Sequence, residues 1–476
     1  MNIKKTFYEV IKKFGEKYKE NEAFVYYDDT GSKQQISYIQ FLEDIDRIKM
    51  DYEQISQKRL GLWADNSYEW ICNATAMLLA GKDLILLDAN LEDEELLNFV
   101  NYADVEALIV DEDIYDSTKK IRNKIPMMIM GEIVHDLGST HAYKEGSIVC
   151  FTSGTSRSSK GVVISAQTLA GCIDEGVVNF PGKKGEKIYL PLPFYHIYGF
   201  THIYHILKRG GIICIGHNRY LRKEIESFQP ETAMLVPSML HYLMQKRHIP
   251  KSLYAVATGG GMQSLSLAEQ AEEHKIELYN LYGLSETLGE ISAGTKEKGY
   301  EWQKPQQGVS FTVKDDGELG IYLPYHMTEY YKKNEDTEAV LDAKKHLFWT
   351  GDVAEIDEDG FVKILGRMRD TIVLECGEKI HAEDTDAELN LLEGVQEAAV
   401  LGANGSLVAV FVREPGSSEE EIINQLKRLN RRKVPYARIN KIWFYEKKFP
   451  RTTTGKLKRF QMEKEYLSFI ETKEKQ

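Results

Sequence analysis

Gly146-Ser-Ile-Val-Cys-Phe-Thr-Ser-Gly-Thr-Ser-Arg-Ser-Ser-Lys-Gly-Val-Val-Ile-Ser165 places a loop of small hydroxylic residues, two glycines and one lysine between two apolar runs. The flanking runs, 146–150 and 162–165, read as buried strands. Successive backbone N–H groups in a Gly/Ser/Thr loop converge on an anion, the hydroxyls add donors, and Lys160 adds charge. That is the composition of a phosphate cradle, and equally of a solvated turn. It is not a Walker A loop. That pattern requires a second glycine before the lysine and Ser or Thr after it, where this chain has Ser159 and Gly161.

Outward from the loop, apolar runs alternate with amphipathic stretches. Phe7, Val10, Ile11 and Phe14 fall at helical spacing within residues 4–18. Strand-like segments at 59–63, 83–87 and 107–110 enclose helix-like ones at 67–79, with Ser67 as a cap, and at 93–100. After the loop the alternation resumes, with strands near 187–192, 211–215, 232–236, 254–257 and 278–282. Helices near 195–207, 220–228 and 238–246 lie among them. This predicts a large α/β domain of layered, mostly parallel sheets. The glycine turns Gly259–Gly261 and Gly283 stand at strand ends, where such sheets bind ligands. From Gly308 short alternating segments predict a β-rich subdomain. Beyond Arg367 a small α+β unit is expected, with helices near 384–392 and 419–430 and strands near 397–401 and 407–412. The expected division is therefore 1–367 and 368–476.

A chain of 476 residues exceeds what one core usually fills, in line with two domains. No apolar stretch approaches the roughly 20 residues that span a bilayer, and the N-terminus has charges where a signal peptide needs an apolar core. The five cysteines are odd in number and lack C-x-x-C spacing, which suits reduced thiols in a cytoplasm. A net charge of −13 argues against a general nucleic-acid binder. Against that balance, thirteen Lys and Arg residues between Lys427 and Arg459 face one acid, Glu446. The stretch reads as a solvated face or as a surface for a polyanion such as coenzyme A or an acidic carrier protein.

Five further islands bear on the loop. Leu192-Pro-Phe-Tyr-His196-Ile-Tyr-Gly199 sets a histidine among aromatics at a helix start, and Tyr282-Gly-Leu-Ser-Glu286 ends a strand with a carboxylate. A lone histidine there suits a packed core, and an exposed Glu a solvated charge. Beside a phosphate loop, however, Glu286 is a natural Mg²⁺ ligand, because hard cations take oxygen donors. Trp349-Thr-Gly-Asp352, Gly366-Arg-Met-Arg-Asp370 and Pro450-Arg-Thr-Thr-Thr-Gly-Lys-Leu-Lys-Arg459 complete the set. Taken in order, these motifs resemble the adenylate-forming superfamily of acyl-CoA synthetases, adenylation domains and firefly luciferase. Thr152–Gly161 follows that family's phosphate-loop frame, and the likeness spans nearly the whole chain. Two stretches depart from the family pattern. Arg157 and Ser159 stand where the family usually has Gly and Pro, and the aromatic pair Tyr330–Tyr331 lacks the usual preceding glycine.

The resemblance implies an AMP-forming acid–thiol ligase whose cofactors are ATP, Mg²⁺ and coenzyme A or a carrier-protein phosphopantetheine. Thr152, Ser153, Gly154, Thr155 and Lys160 would hold the β- and γ-phosphates, and Gly259, Gly260, Gly261, Tyr282 and Gly283 would border the adenine and the acid. Ser285 would meet the α-phosphate, Glu286 the metal, and Asp352 with Arg367 the ribose. Lys456 would bridge the attacking carboxylate and the α-phosphate. The small C-terminal domain would be mobile, turning about Arg369 beside Asp370 to bring a face near Gly377 to the thiol step.

His196 with Tyr195, Tyr198 and Val236 would line the acid pocket. Amino-acid-activating members carry a carboxylate in the segment matching 193–196, and this chain has none, so an acid without an α-amine is expected. The leading expectation is a fatty or aryl acid:CoA ligase. Loading of a carrier protein is the second, and a weakened, non-catalytic nucleotide- or acyl-binding regulatory protein the third.

Overall fold

The structure, a computed structural model, describes residues 5–28, 30–132, 145–152, 160–176, 180, 182–245, 249–261, 265–368, 371–374, 379–403, 406–451 and 457–474. They divide into two compact units, residues 1–310 with 322–348, and residues 311–321 with 349–476. The division expected at 367/368 falls within the second unit.

The first unit opens with helix Phe7–Tyr18, and its start is written in the sequence. The Thr6 hydroxyl accepts the Glu9 N–H and the Glu9 carboxylate accepts the Thr6 N–H, a reciprocal cap. Its stripe of Phe7, Val10, Ile11 and Phe14 is buried. Two sheets follow. In one, six parallel strands run in the order 277–284, 255–258, 232–235, 187–190, 212–215 and 22–27. Antiparallel strands flank them, 289–294 and 302–305 on one side and 33–37 on the other. In the second sheet, strands 147–151, 83–87, 59–63, 107–110 and 127–129 are parallel. Strand 161–165 and the short strand Glu329–Tyr330 extend it antiparallel. The parallel strands read as continuous apolar runs because both faces of their sheets are covered; Ala107–Val110, Ile212–Ile215 and Ala255–Thr258 are buried throughout.

In the second unit, strands Ser310–Val313, Glu318–Tyr322, Leu347–Ile356 and Val362–Arg367 lie in sequence order and realise the β-rich texture expected there. Its C-terminal part is a three-stranded sheet of Val395–Ala403, Ser406–Arg413 and Lys441–Phe444, with helices Ala382–Leu389, Glu419–Asn430 and Arg459–Glu474. Alternate residues feed two cores. Ala398, Val400, Ala409 and Phe411 pack into one, while Ala399, Leu401, Val408 and Val410 pack into the other with Trp443 and Met462. Arg459 fastens the last helix to this sheet, with Nη2 at 2.6 Å from Asp386 Oδ2 and Nη1 at 2.7 Å from the Val400 carbonyl. The Val400 N–H donates to Asp386 Oδ1 at 2.6 Å. Burial pushes the Asp386 carboxyl up, and the Arg459 guanidinium opposes that shift.

Removing one member of so enclosed a pair leaves the other charge without compensation. Arg459→Ala is expected to lower stability by about 3 kcal/mol, and the double change Arg459→Ala with Asp386→Ala by less. Chemical denaturation checks both, and a double variant weaker than the single one contradicts the pairing.

Candidate active site

The glycine–lysine loop is the tip of an antiparallel hairpin. Phe151 pairs with Gly161 at its base. The Thr152 N–H donates to the Lys160 carbonyl at 3.0 Å, and the Lys160 N–H donates to the Thr152 hydroxyl at 3.1 Å. Thr152 and Lys160 thus close the neck. Ser153, Gly154, Thr155, Arg157 and Ser159 lie outside the described residues. The Lys160 ammonium lies 3.2 Å from Asp336 Oδ2 and 4.4 Å from the centre of the Tyr330 ring. Asp336 sits in the first turn of helix Asn334–Val340, where a carboxylate suits the helix dipole.

Glu286 reaches the same tyrosine from the other sheet. Strand Glu277–Leu284 ends in a single tight turn, Ser285–Thr287, before the chain reverses into Gly289–Gly294. Leu284 N–H donates to the Thr287 hydroxyl at 2.9 Å, and that hydroxyl donates to the Gly289 carbonyl at 2.8 Å. A Cβ on Gly283 would stand 1.9 Å from the Gly289 carbonyl oxygen, so only glycine admits this close approach of backbone to backbone. The turn presents Glu286, whose Oε1 accepts the Tyr330 hydroxyl at 2.6 Å and whose carbonyl accepts the Met327 N–H at 2.8 Å. Next to Ser285 and Glu286 lies Cys150, whose thiol is pushed up to about 12 by burial and, secondarily, by the Glu286 charge.

The acid-pocket candidates gather on the same strand edge. His196 opens helix Ile197–Lys208, and its ring lies 4.7 Å from that of Tyr195. A Cβ on Gly259 would fall 2.9 Å from Tyr198 Cζ, and one on Gly260 would fall 3.8 Å from Val236 Cγ1. Gly260 has φ +77°, which glycine adopts freely. Tyr195, His196, Tyr198, Val236 and Gly259–Gly261 therefore form one neighbourhood, with Tyr282 on the adjacent strand.

Sequence reasoning missed the residues that hold this neighbourhood. Asn66 Oδ1 accepts the Phe194 N–H at 2.9 Å, and its Nδ2 donates to the Leu192 and Gly216 carbonyls at 2.9 and 3.1 Å. His202, four residues past Tyr198 on the helix, donates from Nδ1 to the Tyr198 carbonyl at 2.7 Å. Its Nε2 lies 2.8 Å from Glu290 Oε2 in a pair almost wholly buried. Only the i, i+4 spacing of Tyr198 and His202 signalled any of this beforehand.

In the second unit, Asp352 and Arg367 are direct cross-strand partners. Arg367 Nε lies 2.7 Å from Asp352 Oδ1, and Asp352 is buried. The second glycine–lysine loop has a closed neck of its own, where Lys458 N–H donates to the Pro450 carbonyl at 2.8 Å and Arg451 bridges Leu457. Lys456, Arg369, Asp370 and Gly377 lie outside the described residues.

Three comparisons bear on this arrangement. Residues 11–331 match the AMP-binding enzyme family and residues 369–475 its C-terminal domain. A 2-succinylbenzoate–CoA ligase of Staphylococcus epidermidis is 25% identical over 87% of this chain and 90% of its own. Among solved structures, the o-succinylbenzoate CoA synthetase of Bacillus subtilis with its acyl-adenylate intermediate superposes with a TM-score of 0.81 at 20% identity, covering 96% of this chain and 98% of that one. An anthranilate CoA ligase bound to anthranoyl-AMP superposes with a TM-score of 0.84 at 16% identity, covering 98% of both chains.

The two pocket glycines are expected to differ in tolerance. Gly283→Ala drives a methyl group into backbone and should cost about 3 kcal/mol, whereas Gly259→Ala meets only a side chain, the tip of Tyr198, and should cost less, about 1 kcal/mol. Denaturation midpoints of the two variants provide the check, and equal losses contradict the geometry.

Proposed function

Because the chain belongs to the AMP-binding enzyme family, we propose that it joins a carboxylic acid to coenzyme A through an acyl-adenylate. The observation that carries this reading is the meeting of Lys160 and Glu286 on one tyrosine ring at the carboxyl ends of two sheets' strands. In the first half-reaction the acid's carboxylate attacks the α-phosphorus of ATP and the bond to the β-phosphate breaks, releasing pyrophosphate. In the second, a thiol attacks the acyl carbonyl, the bond to the phosphate oxygen breaks, AMP departs, and the thiol proton passes to solvent.

Both partners of the first step are anions, so the protein's contribution is positioning and fixed positive charge. Lys160 stands at the neck of the phosphate hairpin to offset charge on the departing pyrophosphate. Lys456 is the proposed cation for the α-phosphate and the attacking carboxylate, and Asp352 with Arg367 the proposed ribose contacts. Among the described residues no group of three or more His, Cys, Asp and Glu side chains converges on a metal. A single carboxylate, Glu286, with one oxygen already hydrogen-bonded fits Mg²⁺, which keeps waters and takes phosphate oxygens for the rest of its shell. Bound there, the ion would neutralise phosphate charge.

The segment 193–198 offers aromatic rings and no carboxylate, which supports an acid lacking an α-amine. The acid of the Staphylococcus epidermidis relative, 2-succinylbenzoate, supports placing an aryl acid ahead of a fatty one. We retain 1–367 and 368–476 as the functional division. Residues 369–475 match the family's C-terminal domain, and this portion would carry the thiol-side face near Gly377 and the turning point at Arg369–Asp370.

Pyrophosphate release over a panel of aryl, fatty and amino acids, with and without CoA, tests the reading. Aryl acids are expected to give CoA-dependent thioester, and absence of turnover with every acid overturns it. Lys456→Ala is expected to slow adenylation by roughly 10²–10³-fold while leaving thioester formation from supplied acyl-AMP intact. Equal loss in both half-reactions would remove Lys456 from its assigned step.

A further inference from the structure

We propose that Tyr330 is a positioning residue for the metal–nucleotide site, holding the Glu286 carboxylate in place with its hydroxyl and seating Lys160 on its ring. The inference rests on the reading of Glu286 and Lys160 given above and adds a residue that reading does not use.

Tyr330 is 4% exposed, and its backbone is fixed from both sides. Its strand pairs antiparallel with the hairpin's second strand, Tyr330 facing Val162 and Glu329 facing Val163. The N–H groups of Thr328 and Tyr331 donate to the carbonyls of Val163 and Gly161, each at 2.7 Å. The Tyr330 N–H itself donates to the Thr337 hydroxyl at 2.8 Å, which ties it to the helix bearing Asp336. A side chain anchored so firmly has little freedom left to its ring. Its hydroxyl donates to Glu286 Oε1 at 2.6 Å, the length of a hydrogen bond to a charged acceptor, while the Lys160 ammonium lies 4.4 Å from the ring centre.

Two consequences follow from that geometry. A carboxylate with one oxygen engaged is restricted in rotamer, so a cation meets a ligand already oriented. The ring face attracts Lys160 weakly, so the ammonium is parked between Tyr330 and Asp336 and leaves for a polyphosphate at small cost. The hydroxyl therefore governs metal affinity, and the ring governs the lysine. The chain departs from its family's usual glycine at Glu329, one residue before Tyr330, while Tyr330 itself faces inward and Glu329 faces solvent.

The test compares Tyr330→Phe, which keeps the ring and removes the hydroxyl, with Tyr331→Phe. The latter removes a neighbouring hydroxyl that donates to Asp104 at 2.7 Å, away from Glu286. Binding of Mn²⁺ with α,β-methylene-ATP, followed by the electron paramagnetic resonance of the ion, reads metal affinity without turnover. Tyr330→Phe is expected to weaken it roughly 10-fold and Tyr331→Phe to leave it unchanged. In pyrophosphate release, the Mg²⁺ concentration for half-maximal rate should rise by a like factor in Tyr330→Phe, with the rate at saturating metal retained. Equal Mn²⁺ affinity in the Tyr330→Phe variant and the unaltered chain overturns the proposal, as does an equal loss in both variants. Should the unaltered chain bind the metal–nucleotide yet activate no acid, the ligase reading fails and the role of Tyr330 stands.

Discussion

Antiparallel pairing of Glu329–Tyr330 with Val162–Val163 is the contact on which the site depends. Parallel strands deliver their loops to one edge of a sheet but leave each loop to find its own neighbours. Here the seventh strand of the second sheet arrives from far along the chain and locks onto the hairpin that carries Lys160. Its tyrosine then reaches across to the turn after strand Glu277–Leu284 in the other sheet. One short ladder of backbone hydrogen bonds thereby sets the distance between a lysine and a carboxylate that belong to different sheets.

Much of this was legible in the sequence, and the reason is locality. The capped helix at Phe7–Tyr18, the buried strands and the glycine turns each declare themselves within a few residues, through side-chain period and turn chemistry. The hairpin Glu22–Tyr27 with Lys33–Ser37, helix Tyr38–Glu53 and helix Arg459–Glu474 were not foreseen. The last of these packs Met462, Tyr466 and Ile470 into one core at helical spacing, a stripe blurred in the sequence by the exposed Leu467 and Phe469. Nor did the sequence disclose that the phosphate loop joins antiparallel strands, because strand direction is a property of pairing.

Polar partnerships were the least visible level. Asn66, His202 with Glu290, and Tyr330 are each ordinary residue types in unremarkable local settings, and only folding brings their partners within 3 Å. Asp352 and Arg367 show the same limit from the other direction. Both were expected to face a ribose, and the fold makes them facing residues of one strand pair, joined at 2.7 Å. A carboxylate so held is pre-aimed, since its rotamer is set before any ligand arrives.

Cys150 bears on chemical labelling of the protein. Its thiol is buried, and burial first, then the Glu286 charge, push it up to about 12. Thiol reagents attack the thiolate, so a sulfur that is both buried and held protonated stays out of their reach.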